Sequence, residues 1–434
     1  MAKKLPSADQ MRADLFAQLP PSTGDLVQTI VAAGVGRGSV FAVGGIVRDL
    51  ILGRPIVDVD LVTEGDAIVL VAEAAPGMQA TTHERFRTAS ISAGDVWIDV
   101  ATARRETYAH PGALPDIEPA GIAADLARRD FSINAVALRL DGDAMLLDPC
   151  GGIADVEARL VRILHDASFR DDATRIFRAI RYATRLGFEI ESHTLSTLRH
   201  SLPRIATIGG ERARRELELM IEEPRAGAAL EISAREGVLA ATHTALSWDA
   251  KRSAALAAPI ARPPSRATLG FALLAAEAPP EQAAAIIERL KLTRLEAAAV
   301  RGLASMGEVA PMLRRPDAKP SGVVVLLDRF PAVAIAAFAA TTADEIAGRL
   351  ALRYLEEWRY VKPLLDGDDI IGLGVPAGPQ VRRGLQLVRA ARLDGWAVDR
   401  DDERALGLRF AKSIRDSGAA LDHDHAADVS FHDN

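Results

Sequence analysis

Segments with the alternating apolar pattern of β-strands are confined to the first third of the chain, and no other feature restricts the possible folds more strongly. The four segments are SVFAV, VDVDLV, ASISAGDVWIDVATA and NAVALRL, and helical stretches such as VRDLILG and GDAIVLVAEAA separate them. After DPCGG at 148–152 the chain is rich in Ala, Leu and Arg, with helical spacing throughout. The sequence therefore predicts an α+β fold, in which a mixed sheet with helices precedes an all-α region.

The composition limits the class of protein. A chain of 434 residues, 49% hydrophobic and 26% charged, is typical of a folded protein with several domains. We find no signal-peptide core and no apolar run near the roughly 20 residues of a membrane span, so we expect a cytoplasmic protein without a membrane partner. The single cysteine, Cys150, excludes an internal disulfide and a cysteine-based zinc site. Because the net charge is −7, any contact with nucleic acid depends on local basic patches.

Two aspartates, Asp58 and Asp60, form a candidate metal site in VDVDLV. Side chains two positions apart on a strand share a face, so this pair would lie side by side while Val57, Val59 and Leu61 face a core. Mg²⁺ prefers carboxylate oxygens together with substrate phosphates, and it supports nucleotidyl transfer. An ordinary acidic strand edge gives the same spacing. Asp99 in VWIDVAT is a candidate third ligand, with a simple polar strand position as the alternative.

Two glycines follow the first strand segment and precede a helical one. Gly44 and Gly45 would let the backbone approach a phosphate, and the start of the helix would offer that phosphate unpaired N–H groups. Arg48 falls in the first turn, where its guanidinium can bind the same phosphate. A plain tight turn is the alternative for the glycines alone. Together with the aspartates, the stretch 43–60 predicts a site for a nucleotide and its metal.

Five separated motifs point to one family. GGIVRD, DVD, LARRDFSINA at 126–135, DPCGG and DDATRIFRAIRYATRLGF at 171–188 resemble, in order and approximate spacing, the class II tRNA nucleotidyltransferases and bacterial poly(A) polymerases. The resemblance covers residues 40–220. ERARREL and the stretch 367–395 are similar to later parts of some members.

The resemblance implies a seahorse-shaped molecule of head, neck, body and tail, with the active site in the head. The predicted segments are an N-terminal lead-in at 1–26, the nucleotidyltransferase head at 27–150, the neck that recognises the base at 151–225, the helical body at 226–350, the tRNA-binding helical tail at 351–420 and a disordered end at 421–434.

The resemblance also implies roles for individual residues. Asp58 and Asp60 would be the catalytic metal ligands, with Mg²⁺ as cofactor. Asp130 and Asn134 would brace the site by hydrogen bonds. The predicted nucleotide-binding residues are Gly44, Gly45, Arg48, Arg129, Asp172, Arg175, Arg178 and Arg181.

Asp172 and Arg175 are predicted to select the base. Residues three apart on a helix are neighbours, so this pair can present an acceptor and a donor fork to one base edge. Cytosine and adenine carry an amino donor beside a ring-nitrogen acceptor, whereas uracil and guanine carry a carbonyl acceptor beside an N–H donor, so the pair favours C and A. An ordinary surface ion pair is the alternative. The family's usual Glu-Asp is Asp171-Asp172 in this chain, which keeps the base-facing aspartate.

The implied function is template-independent addition of CCA, or part of it, to the 3′ end of tRNA from CTP and ATP, with release of pyrophosphate. Family members that add only CC, only A or a poly(A) tail stay open as alternatives. Segment 102–130 occupies the place of a flexible loop that is shortened in CC-only enzymes, and its full length favours complete CCA addition. A catalytically inactive RNA-binding protein is the remote alternative. We expect no obligate protein partner and no phosphohydrolase site.

Overall fold

The computed structural model describes residues 5–94, 96–107, 116–258, 265–315 and 318–417. The chain forms two compact units, Met1–Ser253 with Glu288–Lys291, and Ala254–Ile287 with Leu292–Asn434. The domain boundaries given above stay predictions. The end predicted to be disordered, 421–434, lies outside the described residues.

The first unit holds the β-structure. Its described strands are β1 Val40–Val43, β2 Val59–Thr63, β3 Ala80–His83, β4 Thr88–Ala93, β5 Val96–Thr102, β6 Arg104–Thr107, β7 Asp116–Pro119, β8 Ala137–Arg139, β9 Leu146–Leu147, β10 Leu160–Val161 and β11 Glu189–Ile190. Seven of them form a mixed sheet in the order β3-β4-β5-β2-β1-β8-β9, in which β2 and β5 pair in parallel. The strands β6 and β7 form a separate antiparallel pair.

Helices cover the sheet and continue beyond it. Up to residue 258 the described helices are α1 Ala8–Gln18, α2 Pro21–Gly34, α3 Gly45–Leu52, α4 Ala67–Ala74, α5 Ile122–Ala127, α6 Gly152–Ala158, α7 Ser168–Asp171, α8 Thr174–Leu186, α9 Ser192–Ser201, α10 Gly210–Glu222, α11 Ala226–Arg235, α12 Val238–Thr242 and α13 Ala250–Ala257. Short 3₁₀ turns lie at Glu84–Phe86, Ser132–Asn134 and Leu202–Thr207.

The central strand β1 is buried on both faces. Val40 and Ala42 pack with residues of α1 to α4, whereas Phe41 and Val43 pack with residues of α5 on the opposite face. A strand covered on both sides forms a continuous apolar run, as SVFAV does. Leu15 on α1 is fully buried in the first of these clusters, so the chain before residue 26 contributes to the core around the sheet.

The strand β2 follows the predicted alternation only in part. Val59 and Leu61 are buried in the core between the sheet and α1 to α4, while Asp60 points to the other face. The prediction that Val57 faces a core is wrong, because its side chain is 65% exposed. Since β2 begins at Val59, Val57 and Asp58 lie in the preceding loop, outside the hydrogen-bonded ladder.

The predicted order, a mixed sheet with helices followed by a helical region, is confirmed. The prediction that strands end at DPCGG is wrong in one detail, since β10 and β11 pair in parallel, with Leu160 opposite Glu189. Strands of two residues are too short to show a period of two, so the sequence pattern could not reveal them.

The described helices after residue 265 are α14 Arg266–Leu274, α15 Pro280–Leu290, α16 Arg294–Leu313, α17 Pro320–Leu327, α18 Ala332–Thr341, α19 Glu345–Glu356, α20 Gly367–Gly372, α21 Pro379–Leu393 and α22 Arg400–Ser417, with a 3₁₀ turn at Trp358–Tyr360. Ile370, Val388 and Ala411 join α20, α21 and α22 in one apolar cluster. Across the described ranges, no single helix is long and apolar enough to cross a membrane, and α17 and α18 meet that criterion only as a pair bent by 114°.

Candidate active site

One pocket of the first unit brings together most of the predicted site residues. Its volume is about 430 Å³, which is within the usual size of small-molecule sites. Six arginines and six acidic residues are among the described residues that line it, so cationic donors stand beside carboxylates. The predicted site residues in this lining are Gly44, Gly45, Arg48, Asp58, Asp60, Arg129, Asp172, Arg175 and Arg178.

Asp58 and Asp60 meet at the start of β2. Asp60 stands opposite Asp99 on the parallel neighbour β5, and Ser90 donates a hydrogen bond to Asp99. Burial raises the pKa of Asp60 to about 6; the positive charge of Arg129 lowers it, and the negative charges of Asp99 and Asp58 raise it. Carboxylates held this close repel one another, and a divalent cation relieves that repulsion.

Of the three candidate metal ligands, two line the pocket, Asp58 and Asp60. Asp99 is exposed and lies outside the lining residues. Among the described residues, no group of three or more His, Cys, Asp or Glu has the arrangement of a metal site. Asp58 and Asp60 nevertheless fit Mg²⁺, because this ion is commonly held by one or two carboxylates together with substrate phosphates.

Gly44 and Gly45 form the turn from β1 into α3. Gly44 has a φ of 72°, a conformation that favours glycine. A Cβ at this position would lie 2.9 Å from Nη1 of Arg129. Because α3 begins at Gly45, its unpaired N–H groups lie beside the pocket and make it a favourable place for an anion.

Arg48 is held in place next to this turn. It is 3% exposed, and it donates from Nε and Nη2 to Asp49 at 3.0 and 2.9 Å and from Nη1 to Oδ1 of Asn134 at 2.6 Å. Its guanidinium carbon lies 5.6 Å from the ring centroid of Tyr182 on α8. These contacts fix a positive charge beside the helix start.

Asp125 on α5 orients two arginines of the pocket. Its Oδ1 accepts from Arg128 Nη2 at 2.6 Å and its Oδ2 from Arg129 Nη2 at 3.0 Å. Burial raises the pKa of Asp125, but the charges and hydrogen bonds of both arginines outweigh burial and keep the pKa below its usual value. Arg128 also donates to Oε1 of Glu106 on β6 at 2.7 Å. Arg129 is thereby fixed at the pocket wall.

Asp130 connects the RRD motif, residues 128–130 of LARRDFSINA, to α8. Its Oδ1 accepts from Nδ2 of Asn134 at 3.0 Å, and its Oδ2 accepts from Nε and Nη2 of Arg178 at 2.9 and 2.6 Å. Burial raises the pKa of Asp130, yet Arg178 and the hydrogen bond from Asn134 lower it to about 2. The negative charge of Asp130 in turn raises the pKa of Arg178. The two residues form an ion pair in which Asp130 is buried and Arg178 is partly exposed.

Asp172 lines the pocket, but the prediction that it shares a helix with Arg175 is wrong. Asp172 is the C-cap of α7, with φ −141° and ψ 104°, and α8 begins only at Thr174. Its Oδ1 accepts from the backbone N and Oγ1 of Thr174 at 3.0 and 2.8 Å, and from Nη2 of Arg212 at 2.9 Å. An aspartate that bonds to the backbone two residues later favours a turn over helix.

Arg175 is 7% exposed and has a fixed orientation. It donates from Nη1 to Oγ of Ser168 and from Nη2 to the carbonyl oxygen of Arg128, both at 2.8 Å. A guanidinium has five donors. Two of its nitrogens are therefore anchored by the protein while the side chain still lines the pocket.

Arg181 lies outside the lining residues. Its Nη1 is 3.6 Å from Glu223 and its Nη2 3.9 Å from Glu216, so it faces the carboxylates of α10 and the residue after it. At about 100° per residue, Arg181 projects from α8 at a different angle from Arg175 and Arg178. Its nucleotide contact stays a prediction without support from its position.

Other lining residues were missed by the sequence interpretation. Tyr182 and Arg185 follow Arg178 by four and seven residues, so a helical-face count along α8 would have found them. Glu106 and Arg128 have no such signal, because β6 and the end of α5 meet only in the fold.

Residues 40–162 match the family described as the poly(A) polymerase head domain. That range contains the glycine turn, both aspartates and the RRD motif.

Curated relatives extend the match to most of the chain. The CC-adding tRNA nucleotidyltransferase of Deinococcus radiodurans is 33% identical over 90% of this chain and 94% of its own length. The chain belongs to the tRNA nucleotidyltransferase and poly(A) polymerase family. The A-adding tRNA nucleotidyltransferase of Geobacter sulfurreducens is 33% identical over 86% of this chain, but the chain spans only 45% of that relative's length.

A solved structure of the family agrees with the fold. The Thermotoga maritima CCA-adding enzyme complexed with tRNA is 25% identical, with a TM-score of 0.76 over 95% of this chain and 100% of the other. Enzymes of the tRNA nucleotidyltransferase family generally use a divalent metal ion. The Asp58–Asp60 pair is suited to such an ion.

Proposed function

We propose that this family member adds CCA, or part of it, to the 3′ end of tRNA from CTP and ATP and releases pyrophosphate. The observation that supports this most directly is that one pocket is lined by the Asp58–Asp60 pair, the glycine turn with Arg48, and the Asp172–Arg175 pair. These are groups for a metal, a triphosphate and a base. A pocket that only binds RNA has no need of paired carboxylates beside a phosphate site.

Asp172 and Arg175 are proposed to select the base. Oδ1 of Asp172 is occupied by Thr174 and Arg212, which leaves Oδ2 to accept from an amino group of cytosine or adenine. Arg175, anchored at two nitrogens, can donate to the neighbouring ring nitrogen. Uracil and guanine would set an acceptor against Asp172 and a donor against Arg175. Each unpaired buried group costs roughly 1–3 kcal/mol.

The phosphates are proposed to bind at the other end of the pocket. The N–H groups at the start of α3 and the fixed charge of Arg48 suit the β- and γ-phosphates, which become the leaving pyrophosphate. Asp58 and Asp60 would hold the divalent ion, for which we propose Mg²⁺. The chemistry that such an ion supplies is activation of the attacking hydroxyl and stabilisation of charge on the phosphates.

The reaction is a single displacement. The 3′-oxygen of the primer forms a bond to the α-phosphorus of CTP or ATP, the bond to the β-phosphate oxygen breaks, and the hydroxyl proton leaves to solvent. Pyrophosphate carries away the electron pair of the broken bond. The residues of the pocket hold the nucleotide so that these atoms meet, and positioning of this kind is a main part of phosphoryl-transfer catalysis.

Addition of A alone is the second candidate. The Geobacter sulfurreducens relative carries that activity in its name, whereas the Deinococcus radiodurans relative is a CC-adding enzyme. The single cysteine fits a reducing compartment, and we propose that the protein acts on tRNA in the cytoplasm.

The deciding assay offers the purified protein Mg²⁺ and tRNAs that end before CCA, after CC, or complete, each with one labelled nucleotide. Complete addition predicts incorporation of C into the first and of A into the second. Incorporation of A alone would select the A-adding alternative, and long A tails on unrelated RNA would indicate a poly(A) polymerase. Lack of incorporation on every tRNA would refute the enzyme proposal.

We expect Asp172→Ala to reduce the preference for CTP and ATP over UTP and GTP by roughly tenfold or more, since about 1.4 kcal/mol corresponds to a factor of ten. The measurement is kcat/KM for the four nucleotides on the same primer. Asp166→Ala is the control, because Asp166 is 85% exposed and pairs with His193 at the surface. Unchanged selectivity in Asp172→Ala would show that another residue reads the base.

A further inference from the structure

Arg185 lines the pocket and is held more loosely than the other arginines of the lining. Its side chain is 41% exposed, and its Nη1 lies 3.9 Å from Glu223, at the outer limit of an ion pair. Glu223 also lies 3.6 Å from Arg181, which keeps that carboxylate neutralised if Arg185 moves away. Arg185 therefore has donors that a ligand can take up.

The other arginines that line the pocket in the described part of the chain are tied to protein acceptors. Each of them makes at least one hydrogen bond of 3.0 Å or shorter. They are Arg48, Arg128, Arg129, Arg175 and Arg178. These five shape the pocket at fixed positions, whereas Arg185 can adjust to what enters it.

Contacts at the end of α8 show which part of the pocket Arg185 faces. Arg54 donates to the carbonyl oxygen of Leu186 at 3.0 Å, and this places the end of α8 beside the chain that leads from α3 to Asp58. Tyr182, one turn before Arg185, packs its ring against the guanidinium of Arg48. Arg185 thus lies at the end of the pocket that holds the glycine turn and the aspartates.

The length of α8 separates this end from the base-selecting end. Arg175 and Arg185 are ten residues apart, and a rise of 1.5 Å per residue gives roughly 15 Å between them. That span is on the scale of an extended nucleoside triphosphate. We propose that Arg185 binds the terminal phosphates of the incoming nucleotide and then the pyrophosphate that leaves.

The chemistry of the side chain suits this role. A guanidinium binds phosphate oxygens through two parallel N–H bonds. Because Arg185 is partly exposed and only weakly paired, it can turn to a phosphate without breaking a short hydrogen bond. The nature of the nucleotide rests on the proposed function, but the binding of a polyphosphate rests only on the position and freedom of Arg185.

The test measures binding rather than turnover. Calorimetry with Mg²⁺ present would compare the wild type, Arg185→Ala and Arg185→Lys with CTP, inorganic tripolyphosphate and CMP as ligands. We expect Arg185→Ala to weaken CTP and tripolyphosphate at least about tenfold, as for a lost charged hydrogen bond, and to leave CMP unchanged. Arg185→Lys should lose less, since it keeps the charge.

Arg215→Ala is the matched control, because Arg215 lies on α10, is 61% exposed and pairs with Glu218. It should bind all three ligands like the wild type. Equal CTP and tripolyphosphate affinity in Arg185→Ala and the wild type would overturn the proposal, as would an equal loss of CMP. If the protein transfers no nucleotide but Arg185→Ala still loses tripolyphosphate, the proposed function fails and the phosphate site stands.

Discussion

Asp60→Asn should reduce nucleotide transfer by well over about 100-fold, the upper loss seen for groups that merely support a metal ligand. Asp60 lines the pocket beside Asp58. Burial, and after it the negative charges of Asp99 and Asp58, raise its pKa to about 6, and a bound cation would relieve the repulsion between these carboxylates. Asparagine keeps the shape of the side chain but removes its charge. The measurement is single-turnover incorporation of labelled CMP or AMP into tRNA, with tRNA binding recorded in parallel.

The parallel measurement of tRNA binding distinguishes a loss of catalysis from a loss of folding. Asp60→Asn should keep tRNA affinity near the wild-type value, because Asp60 contributes no positive charge to RNA binding. Asp143→Asn is the matched control, since Asp143 is exposed in the loop between β8 and β9 and should leave transfer unchanged. Retained turnover in Asp60→Asn would refute the metal-ligand role.

Asp130→Asn should lower the free energy of unfolding by about 2–3 kcal/mol at pH 7. Asp130 is 8% exposed and forms two hydrogen bonds with Arg178, and the substitution leaves that guanidinium without its charge partner. The Arg178 side chain is 32% exposed, so solvent in the pocket limits the loss of stability that follows from removing its charge partner. Urea unfolding of the two proteins measures the difference.

The difference should depend on pH with a definite sign. The pKa of Asp130 is lowered from 3.8 to about 2, so its contribution to stability is complete above about pH 4 and is lost as the pH falls through about 2. The two unfolding curves should therefore converge in acid. Asp9→Asn is the control, because it breaks a surface pair of Asp9 and Arg12 that is worth at most about 1 kcal/mol. A constant difference down to pH 2 would contradict the ion-pair explanation.

The sequence predicted much of the candidate site because its chemistry is local. Gly44, Gly45 and Arg48 lie within one turn and one helix, and Asp58 and Asp60 are two positions apart, so their proximity follows from the geometry of short segments. The family resemblance added the distant motifs.

Predictions from local sequence spacing were wrong at the points where a strand or helix begins or ends. Val57 is exposed because β2 begins two residues later than the alternation indicates. Asp172 precedes α8 because its side chain bonds to Thr174, and a count of three residues could not reveal that turn. Strand and helix ends depend on such caps and ladders more than on apolar spacing.

The sequence by itself determined the order of sheet and helices, the glycine turn and the aspartate pair, since these depend on contacts within a few residues. Only the tertiary structure decided which arginines are available to a ligand. Arg175, Arg178 and Arg181 are equally spaced along the chain, yet the first two line the pocket with protein acceptors and the third faces Glu216 and Glu223. Asp130, Glu216 and Glu223, the carboxylates that face Arg178 and Arg181, lie tens of residues away in the chain, and only folding brings them next to these guanidinium groups.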